Sequence, residues 1–487
     1  MTHQHPAFSS RRSVRRRLAP AGLLLGWALV AMLTGCTTLP PRSSVLPQTP
    51  VPAEWSTQAA HASPPVTAVS LAQWWQRFND PQLTALVTLA LQANTDIRNA
   101  QAALLQARAL RDVKSAGLGP NLSTSASAQR SKSGGQPTGN SFQASFDASW
   151  EPDVFGGKRS ALNATEADAQ AAAASLANVQ VSLAAEVAVT YMDLRGLQAR
   201  LAIARSSLAT QTETLQITRW RVQAGLASSL DEEQAVAASE QTSAQIPSLQ
   251  TSISQDLSSL AVLTGQAPGA LQDRLGMATA VPQATGDLAL AFPADTLRQR
   301  PDVHTAEQRI SAALARVAQA DAARYPSFQI SGSLGLRALT LGTLTSGASV
   351  ANALLASVSA PLFDGGAARA QVRAQEAALE QTRVSYQATV LTALKDVEDA
   401  LVSLQGNRER LARLQAAASA AANADLLARQ RYASGLIDFR AVLETQRTLL
   451  STQDSVESTR ASLSADHVRL YKALGGGWTP GAEMNTP

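Results

Sequence analysis

The sequence predicts an α+β membrane protein in which one module of helices and strands occurs twice. Two proline-free segments carry apolar residues at heptad spacing, short segments between helices alternate apolar with polar residues, and the whole order recurs about 200 residues later. Residues 94–120 align without a gap with 300–326, an offset of 206 that matches Asp96 to Asp302, Ala100 to Ala306 and Pro120 to Pro326. Residues 219–269 align with 429–479 at an offset of 210, matching Arg219 to Arg429, Arg221 to Arg431, Gly225 to Gly435 and Gly265 to Gly475. A unit of this length exceeds the roughly 20–50 residues of a solenoid repeat, so each half is an architectural module. The expected divisions are a signal peptide over 1–35, a tether over 36–70, a first repeat over 71–278, a second over 279–478 and a tail over 479–487.

The chain opens with export-signal grammar. Arg11, Arg12, Arg15, Arg16 and Arg17 precede the apolar stretch 18–32, which is short for a membrane span. Leu33-Thr34-Gly35-Cys36 follows and resembles the bacterial lipobox, which implies cleavage before Cys36 and a covalent lipid on it. By the same resemblance, Thr37 in place of Asp favours sorting to the outer membrane. Cys36 is the only cysteine, so no disulfide within one chain is available and packing must hold the fold. The formal charge of +4 includes the arginines that cleavage removes, so it says nothing in favour of nucleic acid as a partner. Residues 37–70, rich in Pro, Ser and Thr, read as an extended tether, with ordered structure starting near Trp74-Trp75.

Helices are expected over 94–119, 158–224 and 229–263, and again over 300–325, 366–434 and 439–474. Val187, Leu194, Leu201, Leu208, Leu215 and Val222 fall seven apart, as do Val390, Val397, Leu404 and Leu411, and the last helix repeats the device from Val442 to Leu470. Heptads held this long specify supercoiled seams. At 1.5 Å per residue the 158–224 helix is about 100 Å long, and helices 94–119 and 229–263, about 39 and 52 Å, together nearly match it. Each half is therefore expected to be a pair of antiparallel rods with the two shorter helices stacked end to end.

Between the helices lie hairpins, 121–150 in the first half and 327–362 in the second. Phe142, Ala144, Phe146, Ala148 and Trp150 oppose Gln143, Ser145, Asp147 and Ser149; Leu122 to Ala128 alternate more weakly. Phe328, Ile330, Leu334 and Leu336 oppose Gln329, Ser331, Ser333 and Arg337, with 354–362 as the returning strand. Strands of ~9–11 residues with one apolar face have the length and pattern of a transmembrane barrel. Beyond the signal no run of 18 apolar residues suggests a spanning helix. Four strands cannot close, so at least two chains must contribute, and three would supply 12 strands.

Lipobox, two strand hairpins, paired long helices and two turns of the form R-x-x-x-G-L resemble the outer-membrane factor (TolC-like) family, and most of all its NodT-type efflux lipoproteins. The resemblance covers residues 36–478. It implies a homotrimer: a 12-stranded outer-membrane β-barrel continuous with a periplasmic coiled-coil helical barrel, docking on a periplasmic adaptor and an inner-membrane pump of the resistance-nodulation-division type. It implies that the turns at Arg221, Gly225, Leu226, Arg431, Gly435 and Leu436 contact the adaptor. It also implies that Asp231, Glu444 and Arg447, with Asp438 as a further contributor, constrict the periplasmic mouth.

No enzyme is expected. The histidines are scattered, and Phe155-Gly156-Gly157-Lys158 and Asp364-Gly365-Gly366 lack a complete phosphate-loop motif and read as joints from strand into helix. The expected cofactor list is empty apart from the lipid on Cys36. Two other readings are an adaptor lipoprotein, which carries a single helical hairpin and no such strands, and the outer-membrane component of a type I-like secretion system.

Overall fold

The computed structural model describes residues 46–47, 50–52, 55, 71–132, 134–135, 137–285 and 297–478. The lipobox with Cys36, most of the tether and the 479–487 tail lie outside the described residues. The elements are α1 (Pro81–Ala93), α2 (Thr95–Ala116), β1 (Asn121–Ser131), β2 (Gly139–Trp150), α3 (Gly157–Gln223), α4 (Ser229–Leu263), α5 (Pro301–Ala322), β3 (Ser327–Ala338), β4 (Val350–Ser359), α6 (Ala367–Ala433) and α7 (Phe439–Ala473). Both long helices, α3 and α6, have 67 residues, both of their hairpin partners, α4 and α7, have 35, and both α2 and α5 have 22. The two halves thus fold with one order and one set of helix lengths.

Local chemistry starts and stops each long helix. Gly156 enters α3 at φ 76°, and the Asp153 carboxylate accepts from the amides of Lys158 and Arg159 at 3.0 and 2.8 Å. Gly366 enters α6 at φ 91°, with Asp364 accepting from Gly366 and Ala368, both at 2.8 Å. The amides of Ala368 and Gly366 hold the Asp364 carboxyl below the usual carboxylate range. Carboxylates on the orphan donors of a helix N-terminus are stabilising. At the far ends, Gly225 and Gly435 sit at φ 74° and 70°, and Leu226 and Leu436 donate back to the carbonyls of Arg221 and Arg431 at 2.7 and 2.9 Å. That six-to-one bond over a left-handed glycine closes a Schellman motif, so the R-x-x-x-G-L spacing is a helix stop.

The shorter helices meet end to end, as their lengths require. Asn94 caps the start of α2, accepting from the Asp96 amide at 2.7 Å, and its amide donates to the Leu263 carbonyl at the end of α4 at 2.9 Å. Beside the strands α2 and α6 are the outer helices, with α3 and α5 between them; at the opposite end, the tip half, α4 and α6 flank α3 and α7. The heptad residues Val187, Leu194, Val390, Val397, Val442 and Leu470 are buried along these seams. The largest core lies at mid-height, where Trp74, Phe78, Tyr191 and Tyr471 gather, Trp74 stacked on Tyr471 at 5.3 Å.

Three sequence expectations need correcting. Helix α1 and the short turn of helix at Trp74–Phe78 precede α2 and build that mid-height core, although no helix was expected before residue 94. Strand β4 runs over Val350–Ser359, not 354–362, because the turn after β3 is taken up by two short 3₁₀ segments. By length and composition α3 does pass as a membrane span, with mean hydropathy 1.4 over its most apolar window. Alanine raises that window, and α3 packs along α2, α4, α5 and α7, so its apolar face is covered by protein.

Candidate functional site

The strands form one antiparallel sheet in the order β1-β2-β3-β4. Register brings the aromatic and most of the large aliphatic side chains to one face: Phe146 pairs with Thr124 and Leu334, Ala148 with Leu122 and Gly332, and Phe328 with Val358, while Leu355 of β4 pairs with Ser331 on the other face. On this face Leu122, Phe146, Leu334, Leu354 and Val358 are 71, 61, 57, 83 and 63% exposed. Burying such a face in water-free surroundings is favourable, and leaving it wet is costly. The opposite face carries Ser123, Ser125, Ser145, Asp147, Ser331 and Ser333 in register. Ser125 and Ser145 both donate to Asp147 Oδ2 at 3.0 Å, so the polar face is a hydrogen-bonded, hydrophilic lining.

Among the described residues both outer strands are unpaired on their outer side: β1, of 11 residues, and β4, of 10. In a bilayer an open edge has no water to bond its backbone, so these edges require strands from neighbouring copies. The helical walls end in the same way. Leu105, Leu110 and Val113 on α2 and Val384, Leu391 and Val402 on α6 are exposed on the two helices that bound the chain.

The family model described as "Outer membrane efflux protein" matches residues 86–266 and 292–476. The chain belongs to the outer membrane efflux protein family. It is 31% identical over 475 residues to the toluene efflux pump outer membrane protein TtgF of Pseudomonas putida, covering 93% of this chain and 96% of that one. It is 28% identical over 462 residues to nodulation protein T of Rhizobium leguminosarum bv. trifolii, covering 93% and 97%. Among solved structures, the outer-membrane channel OprN superposes with a TM-score of 0.83 at 34% identity, covering 90% of this chain and all of that one.

In this efflux protein the tip residues are held by ordinary local bonds. Asp231 completes a capping box with Ser228, accepting from the serine hydroxyl at 2.8 Å and its amide at 3.1 Å. Asp438 caps α7, accepting from the Ala441 amide at 3.0 Å. Glu444 and Arg447 form an i, i+3 pair at 3.5 Å with both side chains about two-thirds exposed, at 69 and 67%. Arg221 lies over the Tyr432 ring at 4.4 Å and ties the first tip to the second, while Arg431 lends its carbonyl to the Leu436 amide. Leu226 and Leu436 stand 72 and 73% exposed, and Trp220, in the last turn of α3, is 60% exposed. Trp220 has no counterpart in the duplicated motif, whose equivalent is Gln430, so repeat alignment passed over it.

Sequence reasoning also missed a carboxylate at mid-height. Burial, and then the negative charge of Asp193, push Asp256 up to about 6, and its Oδ2 is buried without a hydrogen-bond partner. Only the packing of α4 on α3 creates this environment, and no local motif announces it. Among the described residues no cluster of His, Cys, Asp or Glu could hold a metal ion.

Proposed function

We propose that three copies of this chain form the outer-membrane exit duct of a tripartite efflux system. The duct passively conducts small molecules received from an inner-membrane pump of the resistance-nodulation-division type through a periplasmic adaptor. The carrying observation is the four-stranded sheet with one exposed apolar face and two open edges of matching length. Three sheets joined β1 to β4 give a closed 12-stranded barrel, with apolar residues toward lipid and serines toward the bore. The same joining sets α2 and α4 of one copy against α6 of the next and continues the barrel as a tunnel. Cys36 carries the lipid that anchors the chain in the same membrane. The Gly225 and Gly435 turns, with their exposed leucines, meet the adaptor, and Asp231, Asp438, Glu444 and Arg447 encircle the mouth.

The serine-rich lining offers no selective pocket, so substrate choice rests with the pump. Full-length protein in mild detergent is expected at trimer mass, and its addition to a planar bilayer is expected to produce ion conductance. A monomer that conducts nothing would sink the proposal.

A further inference from the structure

At the foot of the two central strands a cavity of about 580 Å³ opens between the end of α2, the link from β2 into α3 and the turn from α5 into β3. Phe155 lines it, stacked on Tyr325 with ring centroids 4.9 Å apart and on Phe328 at 6.4 Å. Phe328 belongs to the apolar face of the sheet, so the cavity opens where that face ends and the helices begin. Here Trp150 donates to the Leu118 carbonyl at 3.0 Å, and Lys158 Nζ donates to the neighbouring Gly117 carbonyl at 3.2 Å. An indole and an ammonium side by side at such a boundary are the anchors that amphipathic side chains make at a bilayer interface.

The polar lining carries both signs. Lys114 and Lys158 stand among Glu151 and Asp153, a formal sum of zero. Lys158 pairs with Glu151 at 3.2 Å, whose side chain is still 48% exposed, and Asp153 is turned inward onto the amides at the start of α3. Lys114 is exposed and makes no ion pair among the described residues.

We propose that this cavity binds the headgroup of phosphatidylethanolamine from the periplasm-facing leaflet, with Lys114 and Lys158 on the phosphodiester and Glu151 on the primary ammonium. A headgroup that carries one charge of each sign matches a lining of both signs, with its phosphodiester within the reach of Lys114 and Lys158 and its ammonium competing with Lys158 for Glu151. Phosphatidylcholine has no N–H with which to donate to Glu151. The glycerol-proximal methylenes lie on Phe155 and Tyr325. The lining runs from the end of α2 to Ser359 and Pro361 at the foot of β4, along the boundary where the apolar face of the sheet gives way to the helices. The site rests on the placement of this sheet in the outer membrane.

The test is native mass spectrometry of the full-length protein exchanged into equal amounts of phosphatidylethanolamine, phosphatidylcholine and phosphatidylglycerol. Wild type is expected to retain phosphatidylethanolamine about fivefold over phosphatidylcholine, the ratio of one partly exposed charged pair. Glu151→Gln is expected to bring that ratio close to one, and Lys114→Ala to lower retention of all three lipids. Equal retention by wild type, preference for phosphatidylglycerol, or an unchanged ratio in Glu151→Gln would overturn the site. Conductance is a separate measurement: a protein that keeps the lipid ratio and fails to conduct counts against the duct, not against the site.

Discussion

The Asn94 side-chain amide donates to the Leu263 carbonyl at 2.9 Å, and the same residue's Oδ1 caps the helix that starts beside it. One amide therefore joins two helices end to end. In the second half the positions equivalent by the repeat offsets are Arg300 and Ala473, and Arg300 Nη1 donates to the Ala473 carbonyl at 2.9 Å. There Pro301 at the first helical position removes one orphan donor, which frees position 300 from capping and lets a guanidinium serve the joint. Asp302 and Asp396 hold that guanidinium at 2.7 and 3.1 Å.

Replacing Asn94 by Ala removes both bonds at a residue only 3% exposed, and is expected to cost about 1–3 kcal/mol. Asn94→Asp keeps the cap but sets a carboxylate against the Leu263 carbonyl, so it should not restore the wild-type midpoint. Thermal unfolding of the full-length protein in detergent measures both variants. An Asn94→Ala midpoint equal to wild type would show that the joint holds without this residue.

The duplication made most of the fold legible. A helix of 67 residues needs no tertiary information to be seen when Val187, Leu194 and Leu201 recur every seventh residue. The strands were legible because their alternation is strict from Phe142 to Trp150. Helix α1 was not, because Pro81–Ala93 has no counterpart in the repeat alignment and its signal is one buried stripe of Leu83, Leu86, Val87 and Ala90. Of the tip, the glycine stops could be read from spacing, whereas the Arg221–Tyr432 stacking joins residues 211 apart and depends on how the two halves pack.

Two pairs of equivalent glycines should respond unequally to alanine. A Cβ on Gly265 would lie 2.6 Å from the Ala93 carbonyl oxygen, and on Gly475 2.9 Å from that of Gln299. At Gly225 and Gly435 nothing lies within 4 Å, and only the positive φ opposes a side chain. Gly265→Ala and Gly475→Ala are expected to lose about 2–4 kcal/mol by adding a backbone clash to strain, and Gly225→Ala and Gly435→Ala about 1 kcal/mol. Melting midpoints of the four variants give the order. Gly225→Asp and Gly435→Asp are expected to abolish drug efflux in cells while the oligomer still assembles, since their tips are open to a partner.

Asp256 makes stability depend on pH in an unusual direction for a carboxylate. Its folded value, about 6, lies above the ordinary 3.8, so between those values the folded state binds the proton more tightly. Below about pH 3.8 the residue is protonated in both states and costs nothing; above about pH 6 the buried charge is fully penalised. Asp256→Asn is therefore expected to raise the melting midpoint at pH 8 and to have a vanishing effect near pH 4. Half burial limits the gain through solvent screening to about 1 kcal/mol. A gain that grows toward low pH would reverse the assignment.

Glu444 and Arg447 set the sharpest test of the mouth. As an isolated pair at 3.5 Å with side chains 69 and 67% exposed, they contribute at most a few tenths of a kcal/mol, so their joint removal should leave the melting midpoint unmoved. Around a threefold axis the same pair becomes a ring of three acids neutralised by three arginines, and like charges that converge without such partners repel. Asp231 and Asp438 add no mobile charge to that ring while their carboxylates remain on the caps of their own helices. Glu444→Ala with Arg447→Ala is accordingly expected to loosen the closed mouth, raising single-channel conductance and sensitivity to large antibiotics. The same double change at Glu380 and Arg383, an i, i+3 pair on the barrel-side half of α6, is expected to alter neither. Unchanged conductance in the 444/447 variant, with its melting midpoint intact, would reduce the pair to a solvated contact on a helix face.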